Sequence, residues 1–425
     1  MAFQRSVYVA FASFGGLWGV WGAALPTVRH AAGVSVGQLG VALICIGVGA
    51  LPAMLITGRA VDRFGGRVVA MTSILLAVSG AAVATTAGDF VTLAMLLLVL
   101  GAMSGATDVG INAVASAAER ATGQPVLTRA HGTFSAAVVV SSLITGGIEA
   151  MGLPVAVAFG LEVVAAVAAA VSLWQVRLTI EMGRSATAVE LGSVSKTAWL
   201  LPLVIIGLIG ALAFAVENAY QSWGAVFLRD QLSVVGGRTA AAPAVFAAGA
   251  AATRFAAGAF KRLPAGPLLT AGAAAATVGS MLLAYSSTLV TALIALALAA
   301  GGTSMLFPTL LREALSGVGP EARGRETSAV ATTAYLGFLI GPVYVGSLPS
   351  ATGLRNAIIG VAALAAVTAI IARPVARWAG KTVTRPTEGS AQPDVDGAAR
   401  TRARGPRRLP QIGPPPGESG AKVGL

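Results

Sequence analysis

Residues 58–67 read Gly58-Arg59-Ala60-Val61-Asp62-Arg63-Phe64-Gly65-Gly66-Arg67. Apolar runs flank them on both sides, over residues 36–57 and 68–86. Each run is long enough to cross a hydrocarbon core of about 30 Å. Four charges and three glycines between two such runs predict a tight, charged turn joining two membrane-length helices. A chain built this way crosses a bilayer more than once.

Composition extends that reading to the whole chain. Its 425 residues are 56% hydrophobic and only 11% charged, with a mean hydropathy of +0.80. Soluble domains carry roughly 25% charged residues, so there is too little polar surface here to cover a set of them. Residues 1–26 are taken as a first span, not as a cleaved signal peptide, because many spans follow. The net charge of +12 does not point to nucleic acid. Nine Lys/Arg against four Asp/Glu fall in residues 374–425, and most of the remainder lie in alternate short loops. Cys45 is the only cysteine, so no disulfide enters the reading. His30 and His131 are far apart and have no metal-ligand spacing, so no metal and no cofactor are expected.

Apolar runs broken by Gly, Pro and charge predict twelve spans. They lie near residues 6–28, 36–57, 68–86, 90–116, 131–150, 154–174, 197–227, 240–260, 267–286, 289–311, 327–348 and 354–373. The fold class is therefore an all-α polytopic membrane protein. Four segments follow: an N-terminal six-helix half over 1–174, a central cytoplasmic loop over 175–196, a C-terminal six-helix half over 197–373, and a disordered basic cytoplasmic tail over 374–425. With both termini cytoplasmic, inside loops hold thirteen Lys/Arg and outside loops four, before the tail is counted. That is the positive-inside bias of a multi-pass protein of the inner (plasma) membrane. The halves also echo one another. Trp21-Gly22-Ala23 recurs as Trp223-Gly224-Ala225, and Gly66 has Gly266 as its counterpart in the 8–9 loop. A parallel repeat of this kind is found in transporters made of two six-helix halves.

The pattern Gly58-x-x-x-Asp62-Arg63-x-Gly65-x-Arg67 between spans 2 and 3 resembles the signature loop of the major facilitator superfamily. Gly66 stands where that family usually has an Arg. Further stretches resemble a bacterial branch of inner-membrane permeases, distantly similar to fucose-type sugar permeases. They are Asp108-Val109-Gly110-Ile111-Asn112, His131-Gly132-Thr133-Phe134-Ser135, Glu217-Asn218-Ala219, and Gly337-Phe338-Leu339-Ile340-Gly341-Pro342. Residues 138–149 lack the proline of the Gly-Pro motif usual in drug/proton antiporters. The resemblance implies alternating access between two halves, with spans 1, 4, 7 and 10 lining the cavity. It also implies that Gly58, Asp62, Arg63, Gly65 and Arg67 form a conformational latch. In it Asp62 faces the N-terminal end of span 11, while Arg63 and Arg67 are free to pair with Glu119. The plainer alternative is a solvated, positive-inside loop. In the second-half loop Lys261 and Arg262 remain but no acid does, so the duplicate contact reads as degraded.

Ionisable groups inside apolar spans are costly and are functional candidates by default. Asp108 lies 18 residues into span 4, about 27 Å along the axis, with Asn112 one turn on. Glu217 lies in the outer half of span 7, beside Asn218 and close to Gln221. Asp108, Asn112, Glu217, Asn218 and Gln221 are the proton or substrate candidates, because a buried carboxylate can exchange a proton near neutral pH. The alternative for each acid is a fixed structural hydrogen bond. Glu162 in span 6 is assigned a structural role. Trp18, His131 and Trp223 are secondary candidates. Phe11, Phe14, Trp18 and Trp21 form a stripe along span 1 suited either to packing or to stacking on a ring. Gly15-x-x-x-Gly19 and Gly337-x-x-x-Gly341 predict close helix approach.

No phosphate-binding loop and no clustered nucleophile and base are present, so direct ATP use and an enzyme are not expected. The expected function is a secondary active transporter of a small organic solute, working by alternating access and coupled to protons. The alternatives are a drug or metabolite efflux antiporter, or a non-transporting membrane sensor or scaffold. The expected partners are a small-molecule substrate, protons and the lipid bilayer, without nucleic acid, and the expected state is a monomer.

Overall fold

The computed structural model describes residues 2–174, 197–259, 264–315, 320–347 and 353–383. The expected central loop at 175–196, Lys261 and Arg262, and the chain beyond residue 383 lie outside the described residues. Among the described residues the regular structure is helical. The order is α1 (Ala2–Ala31), α2 (Val36–Phe64), α3 (Gly66–Thr86), α4 (Phe90–Thr122), α5 (Val126–Ala150), α6 (Ala156–Trp174), α7 (Thr197–Leu232), α8 (Ala241–Ala259), α9 (Ala265–Tyr285), α10 (Leu289–Ser304), α11 (Leu306–Ala314), α12 (Pro320–Ser347) and α13 (Leu354–Val383). Ten helical segments are long and apolar enough to span a membrane, with α10 and α11 counted as one. Together with α8 and α12 they make the twelve expected spans.

Helix ends follow local chemistry. Ser35 opens α2 with a capping box, its hydroxyl accepting from Gln38 N while the Gln38 side chain accepts from Ser35 N. Asp89 caps α4 by accepting from both the backbone and the hydroxyl of Thr92 at 2.9 Å. These bonds hold the Asp89 carboxyl below its ordinary range. Gly123 closes α4 in the left-handed conformation.

Several helices run past their expected ends, and three departures from the sequence expectation bear on the argument. Residues 58–64, expected in a turn, are the last two turns of α2, which runs to Phe64. Gly65 alone breaks the helix, with φ +62°, and α3 starts at Gly66. A helix of 29 residues outreaches the hydrocarbon core, so its charged end projects beyond it. Span 12 continues through Pro374 to Val383, ten residues past the expected start of the tail. Span 10 is broken at Met305, and Pro308 supplies the reason. Proline has no N–H to give the carbonyl four residues back, which here belongs to Ser304.

The packing repeats between halves. In the first half α1 packs on α5 and α6, α2 on α4, and α3 on α4 and α6. In the second half α7 packs on α12 and α13, α8 on α10, and α9 on α10 and α13. Each second-half pair is the counterpart of a first-half pair. The halves meet through α2 on α12, α5 on α8, and α1 on α7, which is also a symmetric set. The α1–α5 and α7–α12 seams each rest on a small-residue motif. A Cβ on Gly15 would strike the Phe134 carbonyl, and one on Gly19 would lie 2.5 Å from the Val138 carbonyl oxygen. In the second half, a Cβ on Gly337 would strike the Ala211 carbonyl, and one on Gly341 would lie 2.7 Å from the Ala215 oxygen. The outer faces carry exposed apolar side chains, among them Ile56, Val91, Val164, Val171 and Ile370. Lipid solvates these faces.

Gly341→Ala forces α7 and α12 apart. We expect it to cost about 1–3 kcal/mol of stability, read as a lower thermal unfolding midpoint in detergent. Gly160→Ala, whose Cβ meets nothing within 4 Å, should leave the midpoint unchanged. Equal midpoints for both variants would show that the seam does not depend on Gly341.

Candidate functional site

The expected site residues fall into an interior group and two groups at opposite ends of the bundle. In the interior, Glu217 on α7 is buried. Its Oε1 accepts from Arg254 Nη2 on α8 at 3.5 Å and from Gln221 Nε2 at 3.4 Å. Arg254 Nε donates to the Ser304 carbonyl at 3.4 Å. That is the carbonyl left without a helical donor by Pro308. The Arg254 side chain is 46% exposed and that of Glu217 11%, so the cation is the accessible member of the pair. His131 on α5 is exposed, stands edge-on to Phe11 at 5.2 Å between ring centroids, and interacts electrostatically with Arg254.

One turn from Glu217 and one turn from Ser304 stand Phe214 and Phe307. Their ring centroids are 4.5 Å apart. Phe338 and Tyr335 of α12 complete the cluster, at 4.6 Å and 5.8 Å from Phe214. Tyr335 is more than a third exposed and interacts electrostatically with Asp108 on α4. The cluster thus neighbours Glu217 along α7, and through Tyr335 it comes within electrostatic reach of Asp108. Asn112 Nδ2 donates to both the side chain and the backbone carbonyl of Asp108, at 3.0 and 2.9 Å. The hydrogen bond weighed in sequence as the structural alternative for Asp108 is therefore present.

Other candidates stand apart from this interior group. Asn218 accepts from Ser222 along its own helix. Tyr220 turns to α9, bonding Ser280. Trp223 is fully buried, with its ring against Gly346, which in turn abuts Gly40 of α2. Trp18 is half-buried and edge-on to Phe14 at 6.5 Å. Phe11, Phe14 and Trp21 are buried as well. The span-1 stripe is therefore mainly packing. Glu162 is buried against Gly16 of α1.

At the end bearing the α2–α3 turn, Asp62 and Arg63 are exposed, and Asp62 makes no ion pair among the described residues. The suggested pairing of Arg63 and Arg67 with Glu119 is not present. Arg63 lies over Phe64 and Arg67 over Trp174. Glu119 Oε2 instead accepts from Leu127 N at the start of α5, at 2.9 Å. An orphan N–H at a helix N-terminus outcompetes an exposed guanidinium for this carboxylate.

The opposite end ties the halves together. Arg29 of α1 holds Asp230 of α7 in a two-bond fork at 2.7 and 3.0 Å. Arg229 Nη1 donates to Thr27 Oγ1 at 3.3 Å, and that hydroxyl donates to Glu149 Oε1 of α5 at 2.7 Å. Thr27 and Arg229 are 202 positions apart, the offset of the repeated Trp-Gly-Ala. A cavity of about 310 Å³ lies beside this relay.

Sequence reading missed Arg254, the aromatic cluster and the ties at Arg29 and Thr27. Arg254 had a legible signal, being a basic residue well inside the span at 240–260. The aromatics come from three separate helices and have no local signature.

Removing Arg254 leaves a buried carboxylate without its cation. We expect Arg254→Gln to cost about 1–2 kcal/mol, less than a fully buried pair because Arg254 is half exposed. Adding Glu217→Gln should recover most of that loss. A double-mutant cycle on thermal midpoints reads the coupling, and strict additivity would mean that the two side chains do not interact.

The family model described as Major Facilitator Superfamily matches residues 7–342. An uncharacterized transporter, y4wD, of Sinorhizobium fredii is 30% identical, over 87% of this chain and 97% of that protein. The solved nucleoside transporter NupG superposes with a TM-score of 0.69 at 14% identity, over 88% of this chain and 99% of that one. A bacterial homolog of the human lysosomal transporter Spinster, in an inward-facing and unoccupied conformation, gives 0.70 at 14%, over 90% and 98%.

Proposed function

The chain belongs to the Major Facilitator Superfamily, and from that premise we propose that it is a proton-coupled carrier of a small organic solute. It is a multi-pass membrane transporter and not an enzyme. Alternating access, proton coupling, both termini in the cytoplasm and the inner membrane are our reading. The observation that carries it is the placement of charge. Glu217–Arg254 and Asp108 lie in the interior near one aromatic cluster, and an ion pair and a hydroxyl relay tie the two halves at one end.

On this reading the tied end is periplasmic. Asp62, Arg63 and their neighbours then lie at the cytoplasmic end, where we place the latch. Closing it would bring Asp62 to the N-terminal end of α12, where the helix dipole favours an anion. The periplasmic ties would then break. The fork at Arg29 and Asp230 is partly exposed, so its loss costs little. That suits a contact that must form and break in every cycle.

Two measurements test this. In proteoliposomes carrying a metabolite panel, an imposed pH gradient should drive accumulation of a solute, and Glu217→Gln should abolish the accumulation. Uptake that ignores the gradient would remove proton coupling. For the gates, a cysteine placed on the periplasmic side of the interior should label faster in Asp230→Asn and slower in Asp62→Asn. Labelling unchanged in both variants would remove the two-gate reading.

A further inference from the structure

Arg254 is placed to do more than neutralise Glu217. A guanidinium offers five donors in a planar fork. Two of them are used here, and both bonds are long, at 3.5 Å to Glu217 and 3.4 Å to the Ser304 carbonyl. Nearly half of the side chain is exposed, while the carboxylate sits behind it. Phe214 lies one turn from Glu217 on α7, Phe307 lies on α11 just past the break that follows Ser304, and Phe338 and Tyr335 extend that apolar face. Aromatic faces of this kind take a planar ring by offset or edge-on contact, and a carboxylate on such a ring would meet the guanidinium as a two-bond fork.

We propose that the interior site binds a ring-bearing carboxylate, with Arg254 as the anion subsite and Phe214, Phe307, Tyr335 and Phe338 as the ring subsite. The inference rests on the carrier reading only for its link to transport. Charge balance supplies that link. When Glu217 takes up a proton it gives up its claim on Arg254, and the solute carboxylate takes its place. One proton and one carboxylate enter together and the charge of the site is unchanged. The other ionisable groups around the pair, among the described residues, are His131 facing Arg254 from α5, Tyr335 on α12, and Asp108 beyond Tyr335 on α4. Arg312 and Glu313 lie further along α11, and Tyr220 is turned away toward Ser280.

The test uses the purified full-length chain in nanodiscs, with benzoate and phenylacetate as probes and benzylamine and glucose as controls. Calorimetry should show binding of the two carboxylates and not of the controls. Affinity should rise as pH falls, by up to about tenfold per pH unit, and Glu217→Gln should flatten that dependence. Arg254→Lys keeps the charge but loses the fork, and should weaken binding by about tenfold or more. The paired variant Glu217→Gln with Arg254→Gln leaves no uncompensated charge, keeps the fold and should bind neither carboxylate. The proposal is overturned if neither carboxylate binds at about 10 mM, if the controls bind equally well, or if carboxylate binding survives the paired variant. Gradient-driven uptake of a neutral solute, without carboxylate binding, would overturn the site and leave the carrier. Carboxylate binding without uptake of any solute would do the reverse.

Discussion

Inside a bilayer the hydrophobic effect does not hold one helix to another, because lipid is as apolar as leucine. Helices must associate by direct contact instead. In this chain the closest contacts are between backbones, where Gly15 and Gly19 let α1 meet α5, and Gly337 and Gly341 let α7 meet α12. These two seams occupy corresponding places in the halves. The contacts that join the halves add polar ties to such glycine approaches: one two-bond fork and one hydroxyl relay beside the meeting of Gly40 and Gly346.

The same constraint explains the interior site. A broken backbone is tolerated at membrane depth only where its freed groups find partners. Pro308 deprives the Ser304 carbonyl of its helical donor, and Arg254 supplies one. Arg254 in turn needs a counter-charge and finds Glu217. The break, the arginine and the acid come from α8, α7 and the α10–α11 junction, and each makes the others affordable. A helix interruption placed beside a charged pair is also how half-helices present backbone groups to a solute in transporters.

Much of the architecture was legible because membrane length, charge bias and glycine spacing are local signals. The twelve spans, the six-plus-six order and the close seams follow from residues read a few at a time. The stretch at 58–67 does join two spans, but most of it is the end of α2 and not a turn. Nothing in Gly58 to Phe64 forbids a helix, and one glycine at positive φ is enough to make the turn. The interior site was half legible. Glu217 and Asp108 stood out as acids in apolar runs. Arg254 carries the same signal, a charge well inside the apolar run at 240–260. Phe214, Phe307, Tyr335 and Phe338 meet only after α7, α11 and α12 have packed, so no window of sequence contains them.

The two halves share a packing plan but not a chemistry, and a carrier needs both conditions. If the halves were chemically alike, the site would present the same groups to each side, and nothing would couple proton to solute. Here the first half contributes an acid fixed to its own helix through Asn112, and the second an acid held by an accessible arginine. On the proposed reading, the acid whose partner a solute can take is the one that carries coupling, and an acid bound along its own helix does not lose its partner in that way. The symmetric skeleton accounts for how such a protein can rock, and the Glu217–Arg254 pair for how a proton and a solute would be made to move together.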